Sequence, residues 1–416
     1  MSPQTAAILG LMAMFVMATA WPVNMGAVGF AMAFLVGTLA VGMPAPAIIA
    51  GFPADLFVTL VGITYLFAIA QRNGTIGWLV QRAVRAVGGR IAAIPWIMFA
   101  TAAALTAMGA VSPAACAILA PIALQFARGY GISPLLMGLL VIHGAQGGGF
   151  SPISVYGGIT NQIVARSGLP AQEMVLFLAC LGFNLLVALG AFLAFGGRDL
   201  IGRRHAVPAA TAEGSAAGLD LQQAATLGGL AALAVGGLAF GLDIGLLAVT
   251  IAVALTLLAP AAQKGAAEAI GWSTILLVGG VITYVGVLQA SGAIDGIGRG
   301  VSGLGAPLLA ALLLCYIGGV VSAFASSLGV LGAVIPLAVP VLQQGQVGTA
   351  GMIAALAIAS TVVDVSPFST NGALVVANAA PEERETVYRR LLAYSILVVL
   401  AGPPLAWLIL IVPGWL

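Results

Sequence analysis

Ser151-Pro152-Ile153-Ser154-Val155-Tyr156-Gly157 and Ser366-Pro367-Phe368-Ser369-Thr370-Asn371-Gly372 carry one pattern, S-P-x-S-x-x-G, 215 residues apart (366 − 151). Each copy sets hydroxyls, a proline and a glycine inside an otherwise apolar stretch. Irregular polar backbone at membrane depth is tolerated only where protein buries it or where it lines a cavity. Two such breaks at matching positions of two halves mark the binding site of a secondary transporter. Asp364, two residues before the second copy, is the only charge between Arg299 and Glu382, and its counterpart 215 residues earlier is Gly149. An intramembrane carboxylate costs about 3 kcal/mol on insertion scales and is functional by default, so Asp364 is expected to bind or exchange a coupling cation, Na⁺ or H⁺. The alternative is a protonated carboxyl bonded to a neighbouring helix. His143 could relay protons or simply hold the helix bundle together, and Asn24 and Asn184 read as polar ties between helices.

The elements that position these residues must be membrane helices. Hydrophobic residues make up 61% of the chain and charged residues 6%, against about 25% charged in soluble domains. The expected fold is an all-α polytopic membrane protein. A net charge of +2 gives no reason to expect nucleic acid. With two histidines, His143 and His205, and neither a His-Glu-x-x-His nor a paired-aspartate motif, an enzyme is not expected and no cofactor is implied. Cys116, Cys180 and Cys315 lack metal-ligand spacing and read as small packing residues. The N-terminal apolar run has no basic residues before it, unlike a cleaved signal peptide.

Candidate spans fall at 5–21, 25–45, 54–71, 134–165, 173–197, 224–241, 243–260, 271–290, 349–380 and 391–413. The stretches 91–128 and 303–345 are each long enough for two short helices, and 134–165 and 349–380, which hold the motif, read as broken spans. Pro121 matches Pro336 at the same offset of 215, and Leu60-Val61-Gly62 matches Leu277-Val278-Gly279 at 217. The chain thus divides into a first repeat over 1–197, a cytoplasmic linker over 198–223 and a second repeat over 224–416. Each repeat has five spans, one of them broken, and a re-entrant hairpin, with arms at 73–90 and 291–302. The arm at 73–90 sets Ile76, Leu79, Val80, Ala83, Val84 and Val87 against Arg82 and Arg85, as an amphipathic helix lying flat in the interface would. An odd number of crossings separates the two arms, so the second repeat is inverted. With Arg72, Arg82, Arg85 and Arg90 inside, only Arg166 and Arg299 of the fourteen basic residues fall outside. Both termini are then external, and the membrane is the cell's inner (plasma) membrane.

Gly109-Ala110-Val111-Ser112-Pro113 lies in the middle of one hairpin and Ser322–Gly329 in the middle of the other. If these hairpins turn at the midplane, the helix that follows each turn aims free N–H groups and a positive dipole end inward, toward an anion. An ordinary external loop between two full spans is the alternative. No Lys or Arg falls within the core, so hydroxyls, amides and helix N-termini would have to hold an anion. Some of these serines could instead bond back to their own helix.

The run Ser112-Pro113-Ala114-Ala115-Cys116-Ala117-Ile118-Leu119-Ala120-Pro121-Ile122 resembles the hairpin motif of the divalent-anion:sodium symporters. Gly147-Gly148-Gly149-Phe150-Ser151-Pro152, running on to Asn161, and Ala359-Ser360-Thr361 through Asn371 resemble that family's elements in the two broken spans. The resemblance covers about residues 20–416 and is closest to dicarboxylate carriers of the malonate-carrier (MatC) type, within the wider ion transporter superfamily. It implies a homodimeric, cation-coupled, elevator-type carrier of small dicarboxylates or related organic anions, with sodium beside each hairpin. The substrate would meet Ser112, Pro113, Ser154, Ser326, Ser327, Ser369, Thr370 and Asn371. The cation would meet Gly147, Gly149, Ser151, Asn161, Thr361, Asp364 and Ser366. Pro113, Ala114, Leu328 and Gly329 stand where the family's hairpin tips carry Asn and Thr, which leaves the substrate and the ion stoichiometry open. An inorganic-anion or metalloid carrier of the same superfamily, or a passive channel, is the alternative.

Overall fold

Long apolar runs broken by Pro and Gly give helices and, among the described residues, no strand. The structure is a computed structural model and describes residues 1–86, 89–170, 172–204, 219–260, 264–294, 296, 306–323 and 326–414. The first half runs α1 (Pro3–Ala20), α2 (Met25–Val36), α3 (Ala45–Ile49), α4 (Ala54–Arg72), α5 (Thr75–Ala86), α6 (Ala93–Ala107), α7 (Ser112–Tyr130), α8 (Pro134–Gly148), α9 (Val155–Arg166) and α10 (Glu173–Ala194). The second runs α11 (Leu221–Phe240), α12 (Ile244–Leu258), α13 (Trp272–Ala290), α14 (Pro307–Ser322), α15 (Ser327–Leu342), α16 (Thr349–Val362), α17 (Thr370–Asn378) and α18 (Pro381–Leu410). Among the described residues, seven segments, including α16 through α17 taken as one, are long and apolar enough to cross a membrane.

The two halves interlock. α2 crosses α13 and α12 crosses α4; α7 lies against α17 and α15 against α9. The first two crossings are made by glycine. A Cβ on Gly26 would strike the Leu276 carbonyl, one on Gly280 the Gly26 carbonyl, and one on Gly62 the Gly245 carbonyl. Small residues at such positions let backbones approach where lipid offers no hydrophobic drive. Asn24 adds a polar tie: its Oδ1 accepts from Gly26 N at 2.9 Å to cap α2, and its Nδ2 donates to the Ser273 carbonyl at 3.0 Å on the α13 side.

α8 and α16 are buried along nearly their whole length, as helices that are apolar on every side must be. Each ends at a break. The hairpin of α6 and α7 turns at Gly109, whose φ of +119° suits only glycine. A Cβ there would lie 2.7 Å from Cγ2 of Ile63, a residue halfway along α4. The 15 residues of α6 reach about 22 Å at 1.5 Å each, short of the roughly 30 Å apolar core of a bilayer. This turn therefore sits at the level of the middle of α4.

Several expected boundaries move. The last span, read at 391–413, begins at Pro381, because Glu382, Glu383, Arg384, Glu385, Arg389 and Arg390 are helical too. Hydropathy finds the apolar window and not the helix end. Glu382 and Glu383 suit a helix N-terminus, and Arg389 Nε meets Glu385 Oε1 at 2.6 Å one turn away. α11 begins at Leu221, inside the stretch read as linker, after a capping box of Asp220 and Gln223. Of the rest of that linker, Arg198–Leu200 is a 3-10 turn and Arg204 bridges Arg90. His205, Val87, most of the arm at 291–302 and the hairpin residues 324–325 lie outside the described residues. In α5, Ile76 and Val80 are buried while Arg82 is exposed over the Trp78 ring, as the amphipathic reading expects.

Candidate functional site

The two motif copies build the same backbone. α8 stops at Gly148 and α9 restarts at Val155; α16 stops at Val362, a 3-10 turn covers Val363–Val365, and α17 restarts at Thr370. Ser154 caps α9, accepting from Gly157 N at 3.2 Å, and its hydroxyl proton is shared between the carbonyls of Gly149 and Ser151. Ser369 does the same for α17, with Gly372 N at 3.5 Å and the Asp364 and Ser366 carbonyls at 2.6 and 2.7 Å. A Cβ on Gly157 or Gly372 would strike the carbonyl of Ser151 or Ser366. Ser151 donates to the Ala107 carbonyl at the end of α6, and Ser366 accepts from Phe368 N at 3.2 Å. The repeated letters of the motif are thus engaged in shaping the breaks.

A hydrogen-bonded cluster forms around two residues that the repeat does not share, Asp364 and Asn371. Asp364 is buried, and its Oδ2 accepts from Asn371 Nδ2 at 2.9 Å. The same amide nitrogen donates to Ser112 Oγ at 2.9 Å, joining the second break to the first turn of α7. Cys116, one turn further along α7, and Tyr156 of α9 lie near enough to feel the carboxylate's charge. Asn371 Oδ1 is buried with no partner. Carboxylate and hydroxyl oxygens are donors for a hard cation, and here Asn371 turns its amide nitrogen toward both. Three elements from both halves (the first hairpin and the two breaks) meet here.

The other expected residues are spread more widely. Ser327, first in α15, accepts at 2.8 Å from the hydroxyl of Ser322, last in α14 of its own hairpin, and Ser326 precedes it half-buried. Pro113 is half-buried beside Ser112, and Thr370 is exposed. Asn161, whose Nδ2 has no partner, lines a cavity of about 480 Å³ with Ser154, Gly158, Gln162, Thr59 and Asp243. Thr361 returns its hydroxyl to the Ala357 carbonyl at 2.7 Å. Gly147 faces Leu181 and Asn184 of α10, and Gly149 lies under the Tyr156 ring. Neither brings a side chain to the cluster.

His143 donates from Nδ1 to Asn184 Oδ1 at 3.1 Å and accepts at Nε2 from the Tyr394 hydroxyl at 2.9 Å. Asn184 Nδ2 bonds the Cys180 carbonyl at 3.0 Å, which fixes the amide and with it the tautomer. It ties α8, α10 and α18 together. Sequence reasoning passed over Gln146, whose two amide atoms are buried without a partner. Its one signal was an amide directly before Gly147-Gly148-Gly149.

The fold is shared with a transporter. The YdaH transporter of Alcanivorax borkumensis, known for an unusual topology, superposes with a TM-score of 0.61 at 16% identity over 98% of each chain. Residues 1–149 match the family model described as "Dicarboxylate carrier protein MatC N-terminus". No curated protein sequence matches the chain. The N-terminal third of the chain thus resembles a dicarboxylate-carrier family, and the whole chain shares the fold of a solved transporter.

Proposed function

We propose that the chain is a secondary active carrier of small dicarboxylates, coupled to Na⁺ or H⁺, with Asp364 as the cation-binding group. The observation that carries this reading is the bridge Ser112–Asn371–Asp364, which links a hairpin turn of one half to the helix break of the other. The N-terminal match to a dicarboxylate carrier family supports the substrate class. The α7 and α17 helices both start at this bridge, so their N-terminal dipole ends favour an anion. The positive charge missing from the side chains would come from the co-transported cation.

The reciprocal contacts of α2 with α13 and α12 with α4 support two inverted repeats divided at the 198–223 linker. Substrate would be held beside this cluster, by Thr370 and the N-terminal N–H groups of α7 and α17. The glycine-welded helices α2, α4, α12 and α13 would be the frame, and the hairpins with the breaks the moving body of an elevator in a homodimer. The end of the spans holding Asp55 paired with Arg166 would face outward.

Uptake of labelled malonate and succinate into proteoliposomes tests this, under an inward Na⁺ gradient, a proton gradient, or neither. Saturable uptake driven by one gradient is expected. Folded protein that moves oxyanions such as arsenite or sulfate and ignores every carboxylate would replace the substrate class.

A further inference from the structure

The bonded set around Asp364 has a counterpart at each position 215 residues away, and there the chemistry is missing. Asp364 corresponds to Gly149, Asn371 to Tyr156, and Ser112 to Ser327. The backbones are alike: Ser154 and Ser369 cap the restarting helices in the same manner, and α15 meets α9 as α7 meets α17. The side chains differ. Gly149 presents only its Cα, and the Tyr156 ring lies so near that a Cβ at Gly149 would stand 2.7 Å from its Cδ2. Phe150 holds that ring in place, stacked at 5.3 Å between centroids and 19°. Ser112 accepts its bond from across the site, at Asn371, whereas Ser327 accepts from Ser322 of its own hairpin. Asn371 Oδ1 in the second break is buried without a partner, and a buried polar atom of that kind calls for a ligand; unpaired atoms near the first break, such as those on Gln146 and Thr160, fall outside the three matching positions.

We infer that each chain binds a single monovalent cation, at Asp364, Asn371 and Ser112, and none at the related place in the first break, which aromatic carbon fills. The inference rests on the coupling role proposed above for Asp364. It departs from the expectation of sodium beside each hairpin. Na⁺ needs several oxygen donors and a transferable proton needs a basic oxygen. The second break offers the Asp364 carboxylate and the Asn371 amide, and α7 adds the Ser112 hydroxyl; the first break, at the matching positions, offers neither carboxylate nor amide. The shared chemistry is one positive charge per chain.

The test is binding of radioactive Na⁺ to the purified full chain in detergent, with proton uptake on addition of malonate read in parallel in weak buffer. One Na⁺ per chain is expected, or, with no Na⁺ bound, one proton per malonate. Asp364→Asn should abolish the signal and Asn371→Ala should weaken it at least tenfold; Ser112→Ala serves if either variant melts early. Two cations per chain, one of them surviving Asp364→Asn, overturn the single site and leave the coupling role of Asp364 standing. Cation binding untouched by Asp364→Asn overturns both. Neither Na⁺ nor proton binding in folded, malonate-binding protein overturns them as well.

Discussion

Asp364, Asn371 and Ser112 form a chain of two 2.9 Å hydrogen bonds, and each member fails differently when replaced. Asp364→Asn keeps the shape and removes the charge, so malonate uptake should lose its dependence on the driving gradient; unchanged gradient dependence in proteoliposomes would show that the carboxylate is only structural. Asn371→Ala takes the amide from a buried carboxylate, a bond worth about 1.5–3 kcal/mol. The cation's half-saturation concentration should therefore rise by at least tenfold. Ser112→Ala removes only a neutral acceptor, about 0.5–1.5 kcal/mol, and a several-fold weakening is expected in the same titration. Asp364 could be read from the sequence because a lone charge in 82 apolar and polar residues stands out. The repeated serines stood out as well, yet Ser154 and Ser369 are absorbed by backbone carbonyls. Repetition marked the positions that build the breaks, and the positions that differ, 149 against 364 and 156 against 371, hold the distinction. The place of the Tyr156 ring over Gly149 depends on shape, which no residue type announces.

At the scale of elements, the broken spans were legible nearly to the residue, because proline and glycine punctuate helices by a steric rule. The start of α18 was not, since its first turns are charged and hydropathy is blind to polar helix. Nor did spacing say which helix would lie on which. That information sits in single glycines whose neighbours are distant in the chain, such as Gly26 against Leu276. Gly26→Val should be among the most damaging apolar substitutions, because the obstacle is backbone and cannot rotate aside. Overpacking ordinarily costs about 1–3 kcal/mol, and a lowered melting temperature in detergent is expected. Gly158→Ala, where a Cβ meets nothing within 4 Å, should melt like the parent. His143→Phe leaves Asn184 Oδ1 and the Tyr394 hydroxyl unpaired among three helices. At about 1–3 kcal/mol for each orphaned group, it should also melt early without altering the ion that drives uptake.

At the scale of the molecule, the positive-inside count gives an orientation that labelling can check. The three native cysteines are buried, so a membrane-impermeant maleimide applied to cells should label Gln172→Cys, at the Arg166 end, and spare Asp199→Cys. The reverse pattern would invert the topology. Charge balance supplies a second expectation. One cation carried with a dianion moves one net negative charge, so an inside-negative potential of 100 mV should oppose malonate accumulation by about 2.3 kcal/mol. Indifference to a valinomycin-set potential would mean that the substrate travels as a monoanion or with a second charge. The crossings of α2 on α13 and of α4 on α12 have a mechanical meaning beyond stability. Backbone in direct contact through Gly26, Gly280, Gly62 and Gly245 leaves no side-chain layer to shear. These crossings are welds rather than bearings, and their amides should be the slowest in the molecule to exchange with deuterium whatever ligand is present. Any stroke the machine makes has to be taken up on its other seams, where interdigitated side chains can slip from one set of grooves to the next.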